Sequence, residues 1–111
     1  MSIQNTSIKL KKADACKSML EIREQIDLLD QELIRLFAVR STYVSEIVKF
    51  KDKTEEAIIA HERKAFVIEQ RSEWAENFGL DKIAYAKLFE QLIETNISKE
   101  LEILNTTKST E

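Results

Sequence analysis

The chain has no proline, and Gly79 is its only glycine. Turn-rich β architectures need those residues at many corners, so a few long helices are expected instead. Cys16 is the only cysteine, which excludes an intrachain disulfide and a cysteine metal cluster. His61 is the only histidine, so metal chemistry has little to work with, and no metal or cofactor is expected. No apolar run approaches the roughly 20 residues needed to cross a bilayer. Met1 to Lys12 lacks the apolar centre of a secretory signal, which makes the cytoplasm the expected location. The formal net charge of −3 argues against a general nucleic-acid binder, so any anion site must come from local placement of arginine and lysine.

What is present fits one soluble domain. The 111 residues leave no room for a second core, and 43% hydrophobic with 33% charged residues suits amphipathic helices. Residues 1–17 are polar and expected to be loosely ordered. Ser18 followed by Glu21 forms a capping box ahead of Ile22, Ile26, Leu29, Leu33 and Leu36, which step by four and three as in a coiled-coil seam. The pattern continues through Tyr43, Ile47 and Phe50, predicting one helix of about 33 residues, roughly 50 Å long, that needs a partner along its length. A break at Asp52 to Glu56 precedes a second helix over about 58–78, with Ala65, Phe66, Ile68 and Trp74 among its expected buried residues. Gly79 ends it in a left-handed cap, and Asp81 caps a third helix carrying Leu88, Phe89, Leu92, Ile93, Ile97, Leu101 and Leu104. The expected domain covers residues 18–104, and residues 105–111 form a polar tail.

Charges on apolar stripes are the informative feature. Arg40 takes the heptad step after Leu36, and Lys51 lies one turn beyond Ile47. On an uninterrupted helix these two point within about 20° of each other and sit roughly 16 Å apart, a spacing from which long side chains can grip a small anion. Arg23 flanks the other end of the seam, and Asn96 and Glu100 lie one turn apart beside Ile93, Ile97 and Leu104. The plain reading is that such charges pair with one another or reach out at the seam edge. Three cations with too few matching acids favour an anion pocket, because unmatched buried charge is expensive. Arg23 and Lys51 are about 42 Å apart along one straight helix, so both can touch one small ligand only if Arg23 comes from a second, antiparallel chain. The pocket reading therefore implies a homodimer with shared sites.

The stretch Ile22-Arg23-Glu24-Gln25-Ile26-Asp27-Leu28-Leu29-Asp30 resembles the opening helix of the all-helical chorismate mutases. So do Leu33 to Arg40, Lys49-Phe50-Lys51, Glu62-Arg63, and Leu88-Phe89 through Glu100, and the likeness covers about residues 18–104. The resemblance implies an all-α chain of one long N-terminal helix and two shorter ones, intertwined as a domain-swapped homodimer that converts chorismate to prephenate. By position it implies that Arg23 of a second copy and Arg40 hold the two substrate carboxylates. Lys51 is implied to bond the ether oxygen that gains charge, Glu62 the ring hydroxyl, and Asn96 to lie near the ring carboxylate. Glu100 is implied to face the ether oxygen opposite Lys51, with Ile47, Ile93 and Ile97 walling the pocket. Such a reaction is pericyclic, so it needs no nucleophile, general base, cofactor or metal, only a selected conformer and stabilised charge.

The sequence departs from the family pattern at three positions. Most bacterial members carry glutamine where Glu100 stands, and only a protonated glutamate can donate to the ether oxygen, so an apolar surround that keeps the proton is expected there. His61 stands where typical members place another arginine for a carboxylate, although a solvent-facing histidine is the plainer reading. Ile58 replaces a usual aspartate. Arg71, Trp74-Ala75-Glu76 and Gly79-Leu80-Asp81 resemble the isochorismate pyruvate-lyase branch of the same fold, with Trp74 as ordinary helix packing the plainer reading. Two alternatives stay open: a lyase making salicylate and pyruvate, and a noncatalytic helical dimer whose charges serve only register.

Overall fold

The computed structural model describes residues 8–110; residues 1–7 and 111, part of the expected N-terminal segment and tail, lie outside the described residues. The architecture is all-helical, and no strand occurs among the described residues. A short 3-10 turn at Ala13–Ala15 precedes α1, Met19–Ile47, which runs straight into a second 3-10 turn at Val48–Phe50. Then come α2, Glu55–Ile59, α3, His61–Asn77, and α4, Lys82–Thr110. By packing, the chain divides into two compact units, one ending at Tyr43 and one beginning at Val44.

Local sequence signals account for most element ends. Ser18 Oγ accepts the amide of Glu21 at 3.1 Å, and Glu21 returns a bond to the amide of Lys17 at 2.6 Å, one residue ahead of the usual capping-box partner. Asp81 Oδ1 accepts the amide of Ala84 at 2.8 Å, as its expected capping role requires. Gly79 has φ +81, and its amide bonds the carbonyl of Glu76 while the amide of Leu80 bonds that of Ala75, a complete Schellman closure of α3.

Two expectations need correction. The second helix is interrupted: α2 stops at Ile59, Ala60 adopts a left-handed φ of 43, and α3 begins at His61. Alanine gives no sequence signal for that conformation, which costs an L-residue with a Cβ roughly 1–2 kcal/mol. The last helix is not a short one: α4 has 29 residues, as many as α1, and continues through the expected tail to Thr110. The segment from Ile8 onward is bonded to α1. The Lys11 amide bonds Gln25 Oε1 at 2.8 Å, and Lys11 Nζ bonds Glu21 at 3.2 Å, fastening the segment to α1.

In the second unit α3 and α4 form a helical hairpin. Lys64 pairs with Glu94 and Glu69 with Lys82, so the later residue of α3 meets the earlier one of α4, the mark of antiparallel packing. The face of α3 that is buried carries Val67, Ser72 and Ala75, while Phe66 and Trp74 are exposed by 56% and 50%. Of the expected buried residues, Ile68 is half-buried, while Ala65, Phe66 and Trp74 are exposed. Small side chains allow the helices to approach, and the aromatic rings turn outward under Arg63 and Arg71, whose guanidinium carbons lie 5.4 and 4.5 Å from the Phe66 and Trp74 ring centres. Ile58 and Leu104 are fully buried, and burial of each side chain contributes up to about 3 kcal/mol.

Candidate active site

Lys51 and Glu100 are brought together. Lys51 follows the second 3-10 turn in extended conformation, with φ −94 and ψ 150, so the α-helical count that set its expected bearing stops at Ile47. Its ammonium donates to Glu100 Oε1 at 2.9 Å and to the carbonyl oxygen of Ile58 at 3.1 Å. Ile58 lies in the last turn of α2, where carbonyls lack intrahelical partners and a cation is favoured by the helix dipole. Thr54 caps the other end of α2 by accepting the amide of Ala57, so this short helix is closed at both ends. Lys51 thereby ties α2 to α4 across 49 residues of chain.

In the same unit Val48, Ile58 and Leu104 are buried, and Glu100 is itself only 4% exposed. A carboxylate in such a place needs a matched cation, and Lys51 supplies it. An ammonium has three N–H donors. Two are engaged among the described residues, which leaves one for a further acceptor.

The other expected site residues of this unit lie on the same elements. Asn96 precedes Glu100 by one turn of α4 and is half-buried, as are Ile93 and Ile97 on that helix. His61 and Glu62 open α3, both exposed, and Ile47, the last residue of α1, is also exposed. In the first unit Arg23 is exposed and Arg40 half-buried, with Val39 beside it the one buried residue of α1. The seam residues Ile22, Ile26, Leu29, Leu33 and Leu36 are each between 41% and 50% exposed, an open apolar stripe. The role of the Ile58 carbonyl was not legible in the sequence, because a backbone acceptor leaves no trace in side-chain chemistry.

Among the lyase-like positions, burial and then the charge of Arg63 pull the Arg71 guanidinium below its ordinary value. No group of three or more histidine, cysteine or acidic side chains that could hold a metal occurs among the described residues. No described helix is long and apolar enough to cross a membrane.

The fold is all-helical, and the half-buried Lys51 is matched to the buried Glu100 within it. A model of the chorismate mutase type II family matches residues 22–101, a span that contains every site residue named above. The chain is 33% identical over 99 residues to an isochorismate pyruvate lyase of Pseudomonas aeruginosa, covering 89% of this chain and 97% of that protein. It is 24% identical over 93 residues to a chorismate mutase of Methanocaldococcus jannaschii, covering 84% and 94%. A T-protein of Haemophilus influenzae is 38% identical over 64 residues, covering 58% of this chain and 17% of that protein. The chain belongs to the chorismate mutase type II family.

Proposed function

We propose that this chain is a chorismate mutase, rearranging chorismate to prephenate in the cytoplasm as a domain-swapped homodimer with two shared sites. The observation that carries the reading is the pairing of Lys51 with the buried Glu100, with one Lys51 N–H left for an acceptor among the described residues. In this reading that N–H meets the ether oxygen, where charge builds as the bond to carbon lengthens. A positioned donor in a water-poor site is worth a few kcal/mol at such an oxygen. Arg40 and Arg23 of a second copy hold the two carboxylates, Glu62 the ring hydroxyl, and Asn96 the region of the ring carboxylate. Ile47, Ile93 and Ile97 keep the side chain folded over the ring, which converts a rare conformer into the bound one. His61 is a further candidate contact at the start of α3.

In this proposal Glu100 faces the ether oxygen opposite Lys51 and fixes Lys51 through the ion pair at 2.9 Å. The dimer is supported by the open seam of α1, too long and apolar a stripe to leave in water. Sedimentation should give a dimer that Leu33→Glu disperses.

A second reading has its own support. The lyase of Pseudomonas aeruginosa is matched over nearly its whole length, and Arg71 stacks on Trp74 in a stretch resembling that branch. The same cations could act on isochorismate to release salicylate and pyruvate. Assay of purified protein with each substrate, resolving prephenate from salicylate, separates the two readings. Prephenate formation lost in Lys51→Ala supports the mutase, and salicylate as the main product overturns it.

A further inference from the structure

Ala60 is the one described residue other than glycine with a positive φ, at φ 43 and ψ 62. Glycine enters that region freely, whereas the Cβ of any other residue crowds a neighbouring carbonyl oxygen there. The conformation is pinned from both sides. The Ala60 amide donates to the Glu56 carbonyl at 3.0 Å, and the Ala60 carbonyl accepts the amide of Lys64 at 2.9 Å. Ala60 therefore closes α2 and opens α3 at a single residue. Backbone held in so sparsely populated a region persists where the surrounding structure over-determines it, and such residues gather at functional sites.

In a helix running on through residue 60, the Ile58 carbonyl would accept the amide of Glu62. Glu62 instead lies in the first turn of α3, and the Ile58 carbonyl accepts the Lys51 ammonium at 3.1 Å. Ile58 is 1% exposed, so water has little access to compete for that bond. The other anchor of the ammonium is Glu100 Oε1 at 2.9 Å. The three N–H bonds of an ammonium form a rigid tripod. Held by Glu100 alone, the tripod is free to swing its two other N–H bonds about the anchored one. Held by the Ile58 carbonyl as well, it has one direction left for the third. We propose that Ala60 is a positioning residue for Lys51: its left-handed turn withholds the Ile58 carbonyl from the helix and presents it to the ammonium, which aims the third N–H at the reacting oxygen of the substrate. The inference rests on the proposed function, in which that N–H meets the ether oxygen. A donor aimed in advance stabilises developing charge without reorganising as the reaction proceeds.

The test is a series at residue 60, read by steady-state kinetics and by the nitrogen–proton NMR signal of the Lys51 ammonium. Glycine and asparagine tolerate a left-handed backbone, while valine, close to asparagine in size but β-branched, does not. In Ala60→Val, kcat and kcat/KM for the substrate that the wild type turns over should both fall about 10–100-fold. KM should change little, the pattern of an interaction made in the transition state. The Lys51 signal should shift and broaden as the ammonium loses an anchor. Ala60→Gly and Ala60→Asn should keep the wild-type kinetics and the wild-type signal. A valine protein with wild-type kcat overturns the proposal, and so does a glycine or asparagine protein as impaired as the valine one. A fall in kcat with the Lys51 signal unmoved shows a merely structural role and overturns it too. Should valine prevent folding, Ala60→Thr, branched but smaller, is read by the same criteria. A wild type that turns over neither chorismate nor isochorismate is a failure of the proposed function itself, and the Lys51 signal across the series still decides whether Ala60 positions the ammonium.

Discussion

Removing the Lys51 side chain strands a carboxylate that is 94% shielded at its side chain, since Glu100 has only 6% side-chain exposure. Truncating one partner of a fully buried ion pair costs about 3–5 kcal/mol. Lys51 is itself 24% exposed, so water relieves part of that cost, and about 2–3 kcal/mol is expected for Lys51→Ala. The lost bond to the Ile58 carbonyl is included, and it frees the end of α2 as well. At about 4–8 °C per kcal/mol for a domain of this size, the melting temperature should drop by about 10–20 °C. The reasoning depends on the stranded charge, not on the missing methylenes, so it has an internal control. In a Glu100→Gln background the carboxylate is gone, and Lys51→Ala should then cost only about 1 kcal/mol. Urea unfolding of the four proteins at one fixed protein concentration measures both values, the fixed concentration being needed wherever stability is linked to assembly. Equal costs in the two backgrounds, within about 0.5 kcal/mol, refute the pairing as the source of the effect.

Further outcomes follow from other parts of the molecule. Arg40→Ala should lower kcat/KM for chorismate by about 10–100-fold, the value of a charged hydrogen bond to a carboxylate, with the helical circular dichroism unchanged; indifference of substrate affinity to this change favours a noncatalytic dimer. Gly79→Ala places a Cβ in open space but at φ +81, so only backbone strain is felt, and about 1 kcal/mol of stability should be lost in thermal melts. The lowered Glu21 carboxyl stabilises the fold above the ordinary carboxylate range, and that contribution is lost as pH falls through its folded-state value. Hydrogen exchange at the Lys17 amide should therefore quicken in acid, and should be quick at neutral pH in Glu21→Gln.

Local chemistry made much of the molecule legible before any coordinates. Caps and turns act within a few residues, which is why Ser18, Asp81 and Gly79 were readable as helix punctuation. The period of Ile22, Ile26, Leu29 and Leu33 defined α1 because a helix repeats its face at fixed spacing. The family was legible too, in the resemblance of stretches such as Ile22 to Asp30 and Leu88 to Glu100, which lie within the matched span.

Phase and partnership were decided by packing. Val67, Ser72 and Ala75 were buried in place of Phe66 and Trp74 because close approach of α3 and α4 selects small side chains over large ones. Ala60 turned left-handed because the chain had to bend between α2 and α3, and nothing in an alanine announces that. The segment from Ile8 to Lys17 bonds Glu21 and Gln25, residues outside its own composition. Lys51 found Glu100 and the Ile58 carbonyl for the same reason. Sequence alone determined the helices and the charges available, because propensity and capping are short-range; which charges meet was decided by tertiary structure, because the desolvation that forces a pairing exists only once the chain has folded.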